Sequence, residues 1–280
     1  MANTITLEQI QGYRAHLHRE ERAPGTIEKY LRDVRSFAVW LGEREISKEA
    51  VASWKEHLMS SGYDAGTVNV KLAAVNAFLR FADWEDCRVK SLKRQRRVFR
   101  EHSRELTREE YERLLRAAGA MGRERLELLM ETICATGIRV SEVPFITVEA
   151  VRRQKAEVQL KGKIRTILLP GKLCRKLQAY ARKQKIASGE IFLTRSGRSI
   201  SRKQIWAEMK QLCAAAGVEA SKVFPHNLRH LFARTFYRAS RDISRLADVL
   251  GHSSIETTRI YLISSGEEHA RTLDRLGLVS

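Results

Sequence analysis

The stretch GHSSIETTRIYL, residues 251–262, carries the signals that end one helix and start the next. Gly251 can close a helix in the left-handed conformation, and Ser253, with a glutamate three residues later, predicts a capping box. This arrangement places His252 at a corner and Tyr261 about two turns down the second helix. A tyrosine at helical spacing usually packs in a core, so another role for Tyr261 depends on polar residues elsewhere in the chain.

Two polar motifs precede this stretch. The sequence PHNLRH, residues 225–230, predicts a helix with proline in its first turn, which puts His226 and Arg229 on one face. The sequence TGIRVSE, residues 136–142, places Arg139 shortly after a glycine at a predicted helix end. His226 and Arg229 could contact one anion, although two such residues can equally cap and decorate a surface helix.

The sequence does not favour a metal site or a bound cofactor. His226 and His230 have the spacing of a zinc pair, but the motif lacks the glutamate of zinc proteases and places the charge of Arg229 between the ligands. The four cysteines are widely spaced and form no Cys-x-x-Cys pair. No GxxxxGK[ST] loop is present, so nucleotide-driven chemistry is not expected.

Charge points to a polyanionic partner. The chain has 51 lysines and arginines against 33 acidic residues, a net charge of +18. Residues 1–84 contain 11 basic and 11 acidic side chains, residues 85–104 contain 8 and 3, and residues 105–280 contain 32 and 19. Such a surface releases counterions from nucleic acid, which favours binding by the second half of the chain. A basic surface that is only solvated, or a ribosome-associated protein, is the alternative.

The spacing of apolar residues divides the chain into two domains. Four amphipathic helices are predicted in residues 1–84, of which the one opening at Thr26 has the clearest periodicity. Residues 85–104 form a dense basic run with weak periodicity, which indicates an interdomain linker able to lie along a phosphate backbone. Residues 105–280 are mostly helical, with one β-hairpin over residues 156–169.

Membrane insertion is not expected. No apolar run approaches the roughly 20 residues that a spanning helix needs. The N-terminal sequence MANTITLEQI lacks a charged region followed by an apolar stretch. The sequence therefore predicts a cytoplasmic protein with no membrane partner.

Together, TGIRVSE, HNLRH and LGHSSIETTRIY, in this order and at these separations, resemble the tyrosine recombinase (phage integrase) family. The likeness extends over nearly the whole chain, because the four-helix region is similar to the family's core-binding, SAM-like domain. The resemblance implies a mainly α fold: a four-helix N-terminal core-binding domain, followed by a mostly helical α+β catalytic domain with a small antiparallel sheet.

The resemblance also implies the site residues. Arg139 and Arg229 correspond to the two catalytic arginines, His226 and His252 to the two active-site histidines, and Tyr261 to the nucleophile.

The family also uses a lysine on a β-hairpin between the two arginines. Lys161 is the better match and Lys163 the second candidate. Glu142 matches an acidic residue that supports the site rather than reacting.

The implied activity is site-specific recombination of double-stranded DNA at the nucleoid, through a 3′-phosphotyrosine intermediate without metal or ATP. The implied assembly is a synaptic tetramer on DNA, with the amphipathic tail over residues 266–278 docking on a neighbouring protomer. Folding of the tail onto its own domain is the alternative. Two other functions remain open: DNA relaxation by a type IB topoisomerase, and DNA-binding regulation with vestigial catalytic motifs.

Overall fold

The computed structural model describes residues 4–93, 105–160, 163–262 and 274–275. The chain divides into two units, Met1–Arg96 and Arg97–Ser280, each with its own hydrophobic core. Within the described ranges, no helix combines the length and the apolar character needed to cross a bilayer.

The N-terminal unit is the predicted four-helix bundle. Thr6 caps the first helix in a reciprocal capping box with Gln9. The second helix begins at Pro24 rather than at the predicted Thr26, because proline at the first helical position already has the required φ angle. The helices are α1 (Leu7–Arg19), α2 (Pro24–Leu41), α3 (Lys48–Ser60) and α4 (Ala65–Phe81).

Residues 85–93, the start of the predicted linker, are hydrogen-bonded to α4. The Asn76 side chain donates to the Val89 carbonyl at 2.9 Å and accepts from its amide at 3.2 Å. Asn69 makes the same two-way contact with Leu92, at 3.0 and 2.7 Å. This part of the segment therefore belongs to the bundle, while residues 94–104 lie outside the described residues.

The second unit is mainly helical with a two-stranded antiparallel sheet, in which Val158 pairs with Arg165. Its elements are α5 (Arg108–Ala120), α6 (Glu124–Thr136), α7 (Val148–Arg153), β1 (Lys155–Leu160), β2 (Lys163–Leu168), α8 (Gly171–Lys183), α9 (Arg202–Lys210), α10 (Cys213–Ala216), α11 (Pro225–Ser240), α12 (Ile243–Leu250) and α13 (Ile255–Arg259). Among the residues described in this unit, short 3₁₀ turns lie at Val140–Phe145, Ala220–Lys222 and Ile260–Leu262.

The corner between α12 and α13 differs from the prediction in two details. Ser254 caps α13, its hydroxyl accepting from the Glu256 amide at 3.3 Å, so the capping box predicted for Ser253 is wrong. Ser254 has the extended backbone of an N-cap and directly precedes the first helical residue. In addition, α13 ends at Arg259, and Tyr261 lies in the following 3₁₀ turn instead of the α-helix.

Two glycines close helices next to the site. Gly137 ends α6 at φ +64°, and Gly251 ends α12 at φ +63°, both in the left-handed region. A Cβ added at Gly137 would overlap the ring of Phe232, and one added at Gly251 would overlap the side chain of Arg165. Both positions therefore need glycine for backbone conformation and for space.

Candidate active site

Arg229 is the centre of the site. It lies in the second turn of α11 and is only 2% exposed. Its Nε donates to the Tyr261 hydroxyl at 3.4 Å, and Nη2 donates to the Leu250 carbonyl at 2.9 Å and lies 2.9 Å from Nε2 of His252. Nη1 donates to the Gly137 carbonyl. One guanidinium thus joins the ends of α6 and α12 to the predicted nucleophile.

Arg139 is held by Glu142, which is itself buried. The Arg139 guanidinium donates to one carboxylate oxygen at 2.9 Å, and the Arg139 backbone amide donates to the other at 2.8 Å. A further, longer hydrogen bond reaches the Gly251 carbonyl at 3.4 Å. The Arg139 side chain remains 41% exposed, so this cation is fixed at one end and open to a ligand at the other.

His252 is a neutral acceptor in this arrangement. An arginine can only donate, so Nε2 of His252 accepts from Arg229, and Nδ1–H donates to the Thr258 hydroxyl at 2.8 Å. Burial, reinforced by the charges of Arg229, Arg139 and Arg165, lowers the pKa of His252 to about 4. The imidazole therefore carries no charge near neutral pH.

Tyr261 combines core packing with a polar contact. Its side chain is 7% exposed and belongs to a small hydrophobic cluster with residues of α11 and α12. The ring centroid lies 4.3 Å from that of His230, 5.5 Å from His252 and 5.7 Å from His226. The ring is thus surrounded by imidazoles and its hydroxyl contacts Arg229.

Comparison with known proteins identifies the family. Residues 104–268 match the phage integrase family, and residues 10–86 match the phage integrase N-terminal SAM-like domain. The chain belongs to the phage integrase family. It is an enzyme of the tyrosine recombinase class, so the family resemblance and the fold predicted from it are confirmed.

Relatives of the recombinase agree with this assignment. Tyrosine recombinase XerA of Thermococcus kodakarensis is 28% identical over 282 residues, which cover 96% of this chain and 97% of the relative. A solved lambda integrase dimer bound to a COC′ core site has a TM-score of 0.72 at 17% identity, covering 92% of this chain and 77% of that one. The Tn1549 transposon integrase in complex with transposon right end DNA has a TM-score of 0.70 at 16% identity, with 96% and 99% covered. These two likenesses show the fold.

The structure brings five of the six predicted site residues of the recombinase together: Arg139, His226, Arg229, His252 and Tyr261. Lys161 lies outside the described residues, and Lys163 is described only as the first residue of β2. The choice of hairpin lysine therefore stays a prediction.

Sequence reasoning missed Arg165 of the recombinase. Its guanidinium lies 3.4 Å from a Glu142 carboxylate oxygen and donates to the Leu250 carbonyl. The sequence carried a partial signal, because alternation along the strand puts Arg165 on the same face as Ile167 and Leu169. Both of these residues are buried in the structure. An arginine at an inward strand position needs a buried partner, and the sequence does not say which one.

The histidine pair at residues 226 and 230 packs edge to face, with ring centroids 4.6 Å apart. Among the residues that the structure describes, no group of three or more His, Cys, Asp or Glu side chains is arranged to hold a metal ion.

Proposed function

We propose that the recombinase cleaves and rejoins specific DNA sites through a 3′-phosphotyrosine linkage formed by Tyr261. The contact between Arg229 and Tyr261 carries the proposal, because a buried cation lies 3.4 Å from the phenol oxygen. A cation there can stabilise the negative charge that develops on the phenol oxygen as it attacks. Arg139, whose guanidinium is partly open, adds a second fixed charge near the same corner.

The reaction needs two transfers at phosphorus. In the first, the Tyr261 oxygen attacks as its proton leaves with the help of His226, the bond to the 5′ oxygen breaks, and the hairpin lysine, Lys161 or Lys163, protonates that oxygen. In the second, a 5′-hydroxyl of a partner strand attacks the phosphotyrosine and releases the tyrosine. The number of phosphodiester bonds is unchanged, so no external energy source is needed.

The two arginines stabilise the charge that develops on the nonbridging oxygens. A guanidinium offers two parallel donors and keeps its charge at neutral pH, which suits a phosphoryl oxygen pair better than a lysine does. The donors are already oriented, so they require little reorganisation during the reaction. Removal of one such contact typically lowers the rate about 100-fold or more.

DNA binding must rearrange one contact of His252. Its proposed role is to donate from Nε2 to the scissile phosphate, yet Nε2 accepts from Arg229 in the unbound protein. An arriving phosphate can take over the Arg229 donor, since a charged oxygen is a stronger acceptor than a neutral imidazole. His252 then needs a proton on Nε2, either as the other tautomer or as the cation.

The wider assembly is also part of the proposal. The partner is double-stranded DNA at the nucleoid, and the N-terminal bundle acts as a core-binding domain. The basic segment over residues 85–104, in which Val89 and Leu92 are hydrogen-bonded to α4, connects the domains. Catalysis occurs in a synaptic tetramer, with the tail over residues 266–278 reaching a neighbouring protomer; apart from Asp274 and Arg275, that tail lies outside the described residues.

The test uses the full chain and a library of nicked duplexes with randomised sequence. A nick a few nucleotides 3′ of the cleavage point lets the short fragment that carries the released 5′-hydroxyl diffuse away, which traps the phosphotyrosine. After denaturation, we expect protein-linked DNA enriched in one sequence with the wild type, and none with Tyr261→Phe, which should still bind the enriched duplex. A covalent adduct formed by the phenylalanine variant would overturn the assignment of Tyr261.

The same experiment separates the alternative functions. Adducts without sequence enrichment, together with relaxation of any supercoiled plasmid, would indicate a type IB topoisomerase. Sequence-specific binding without any adduct from the wild type would indicate a regulator with vestigial motifs.

A further inference from the structure

Arg165 reaches the site from outside the three sequence motifs. It lies on β2, opposite Val158 of β1, and its side chain is only 12% exposed. Burying a guanidinium costs free energy unless charges and dipoles of the protein replace its hydration. Its contacts therefore decide what the residue does.

Both contacts of Arg165 are shared with the proposed catalytic arginines. Its Nη2 lies 3.4 Å from the Glu142 oxygen that also accepts from the Arg139 backbone amide. Its Nη1 donates to the Leu250 carbonyl, which also accepts from Arg229 at 2.9 Å. Arg165 thus holds one partner of each proposed catalytic arginine.

The stem of Arg165 also packs against the corner that carries His252. A Cβ added at Gly251 would overlap Cδ and Nη1 of Arg165, so backbone and side chain are in close contact there. The Leu250–Gly251 peptide, one residue before His252, is therefore held by both Arg165 and Arg229 through the same carbonyl.

Electrostatics supports a functional reason for this cation. Burial lowers the pKa of Arg165 to about 10; Arg229 and Arg139 act in the same direction and Glu142 opposes them, so Arg165 stays charged at neutral pH. Its Nε and Nη2 are buried without a hydrogen bond. Buried donors without a hydrogen bond lower stability, so the contribution of Arg165 to stability alone does not explain its presence.

We infer that Arg165 is a positioning residue for strand cleavage: it fixes Glu142 and the Leu250–His252 corner, so that Arg139 and Arg229 meet the same phosphate. The inference rests on the proposed function and adds to the site a β2 residue that lies outside the three motifs. Arg165 acts through Glu142 and the Leu250 carbonyl rather than by contact with DNA.

The first test compares single-turnover cleavage rates at saturating protein. Arg165→Gln should cleave about 100-fold more slowly, as expected for misplacement of catalytic groups by about 1 Å, while its affinity for the duplex changes less than about threefold. Arg165→Lys keeps the charge but cannot serve both partners, so we expect an intermediate rate. Arg153→Gln removes a charge from an exposed position of α7 and serves as the matched control, with an unchanged rate.

A double-mutant comparison asks whether Arg165 acts through Glu142. If it does, Arg165→Gln combined with Glu142→Gln should cleave scarcely more slowly than Glu142→Gln alone, since contacting residues are not additive. Fully multiplicative rate losses, or a near-normal rate for Arg165→Gln, would overturn the inference while leaving the Tyr261 adduct of the wild type intact.

A second measurement does not need cleavage at all. The ring resonances of His252 in the DNA-free protein, assigned with His252→Gln, should shift in Arg165→Gln and stay in place in Arg153→Gln. Unchanged His252 resonances in folded Arg165→Gln would also reject the inference. Loss of the wild-type adduct on every substrate would instead count against the proposed function.

Discussion

The two units of the recombinase bury charge in different ways. In the N-terminal bundle, the charged side chain buried among the described residues is Asp33, which pairs with Arg32 at 3.0 Å and Lys71 at 3.4 Å and leaves Oδ2 without a hydrogen bond. In the second unit, Glu142 and Arg229 are both buried and engaged on several atoms.

The difference indicates what each buried charge does. The bundle is held by apolar packing around large side chains such as Trp54 and Phe37, and its ion pair is an addition to that core. In the second unit, Arg229 bonds the carbonyls at the ends of α6 and α12 and the Tyr261 hydroxyl, in addition to the apolar contacts made there. Polar substitutions should therefore affect cleavage in the second unit far more than in the bundle.

The largest expected effect is on cleavage by Arg229→Lys. A lysine cannot reproduce the fork that serves Tyr261, Leu250 and His252, and we expect the rate at saturating protein to fall about 10³-fold, by analogy with arginine fingers. Arg32→Lys, at the exposed end of the bundle's ion pair, should cleave at the wild-type rate. Near-normal cleavage by Arg229→Lys would show that the buried charge of the second unit matters no more for cleavage than the ion pair of the bundle.

A smaller effect is expected when glycine is replaced at two positions of positive φ, one packed against a side chain and one in open space. Gly137→Ala must adopt a positive φ and displace Phe232, which together should lower the free energy of unfolding by about 3 kcal/mol. Gly62→Ala in the bundle also has a positive φ, +80°, but meets no atom within 4 Å, so we expect about 1 kcal/mol. Urea unfolding of both variants checks the difference. Equal decreases in the free energy of unfolding would show that the Phe232 ring moves aside without destabilising the protein.

A further effect on stability is the pH dependence contributed by His252. Its pKa of about 4 in the folded protein lies below the ordinary value of 6.5, so between these values the unfolded chain binds a proton that the folded chain excludes. Stability should therefore fall as the pH drops from 6.5 to 4, and this contribution should be absent in His252→Gln. Urea midpoints of the wild type and His252→Gln at pH 7.5, 5.5 and 4.5 test this. If both midpoints change with pH by the same amount, the effect is excluded.

Much of the local structure could be predicted, because its signals lie within a turn or two. Thr6 and Thr107 cap their helices with side chains that suit that position, and Pro225 opens α11 and Gly251 is left-handed as predicted. The shift of the cap from Ser253 to Ser254 shows the limit of such signals, since two adjacent serines offer the same chemistry. Helix boundaries are decided by competition that includes packing of the rest of the helix.

The site could be predicted only in part. Its three motifs could be recognised in the chain, but the contact of His230 with Tyr261 and the reach of Arg165 into the site could not. His230 has the spacing of a zinc partner for His226, but spacing alone cannot tell which face of a helix another element covers.

The amino-acid sequence by itself determined the helices, the hairpin and the family of this recombinase, since periodicity, caps and motifs depend on residues close together in the chain. Only the tertiary structure decided that Arg229 meets the Gly137 carbonyl 92 positions away and that Arg165 meets the Leu250 carbonyl 85 positions away. Contacts over such distances depend on how whole helices and strands pack, and a buried charge takes whichever partners that packing brings within reach.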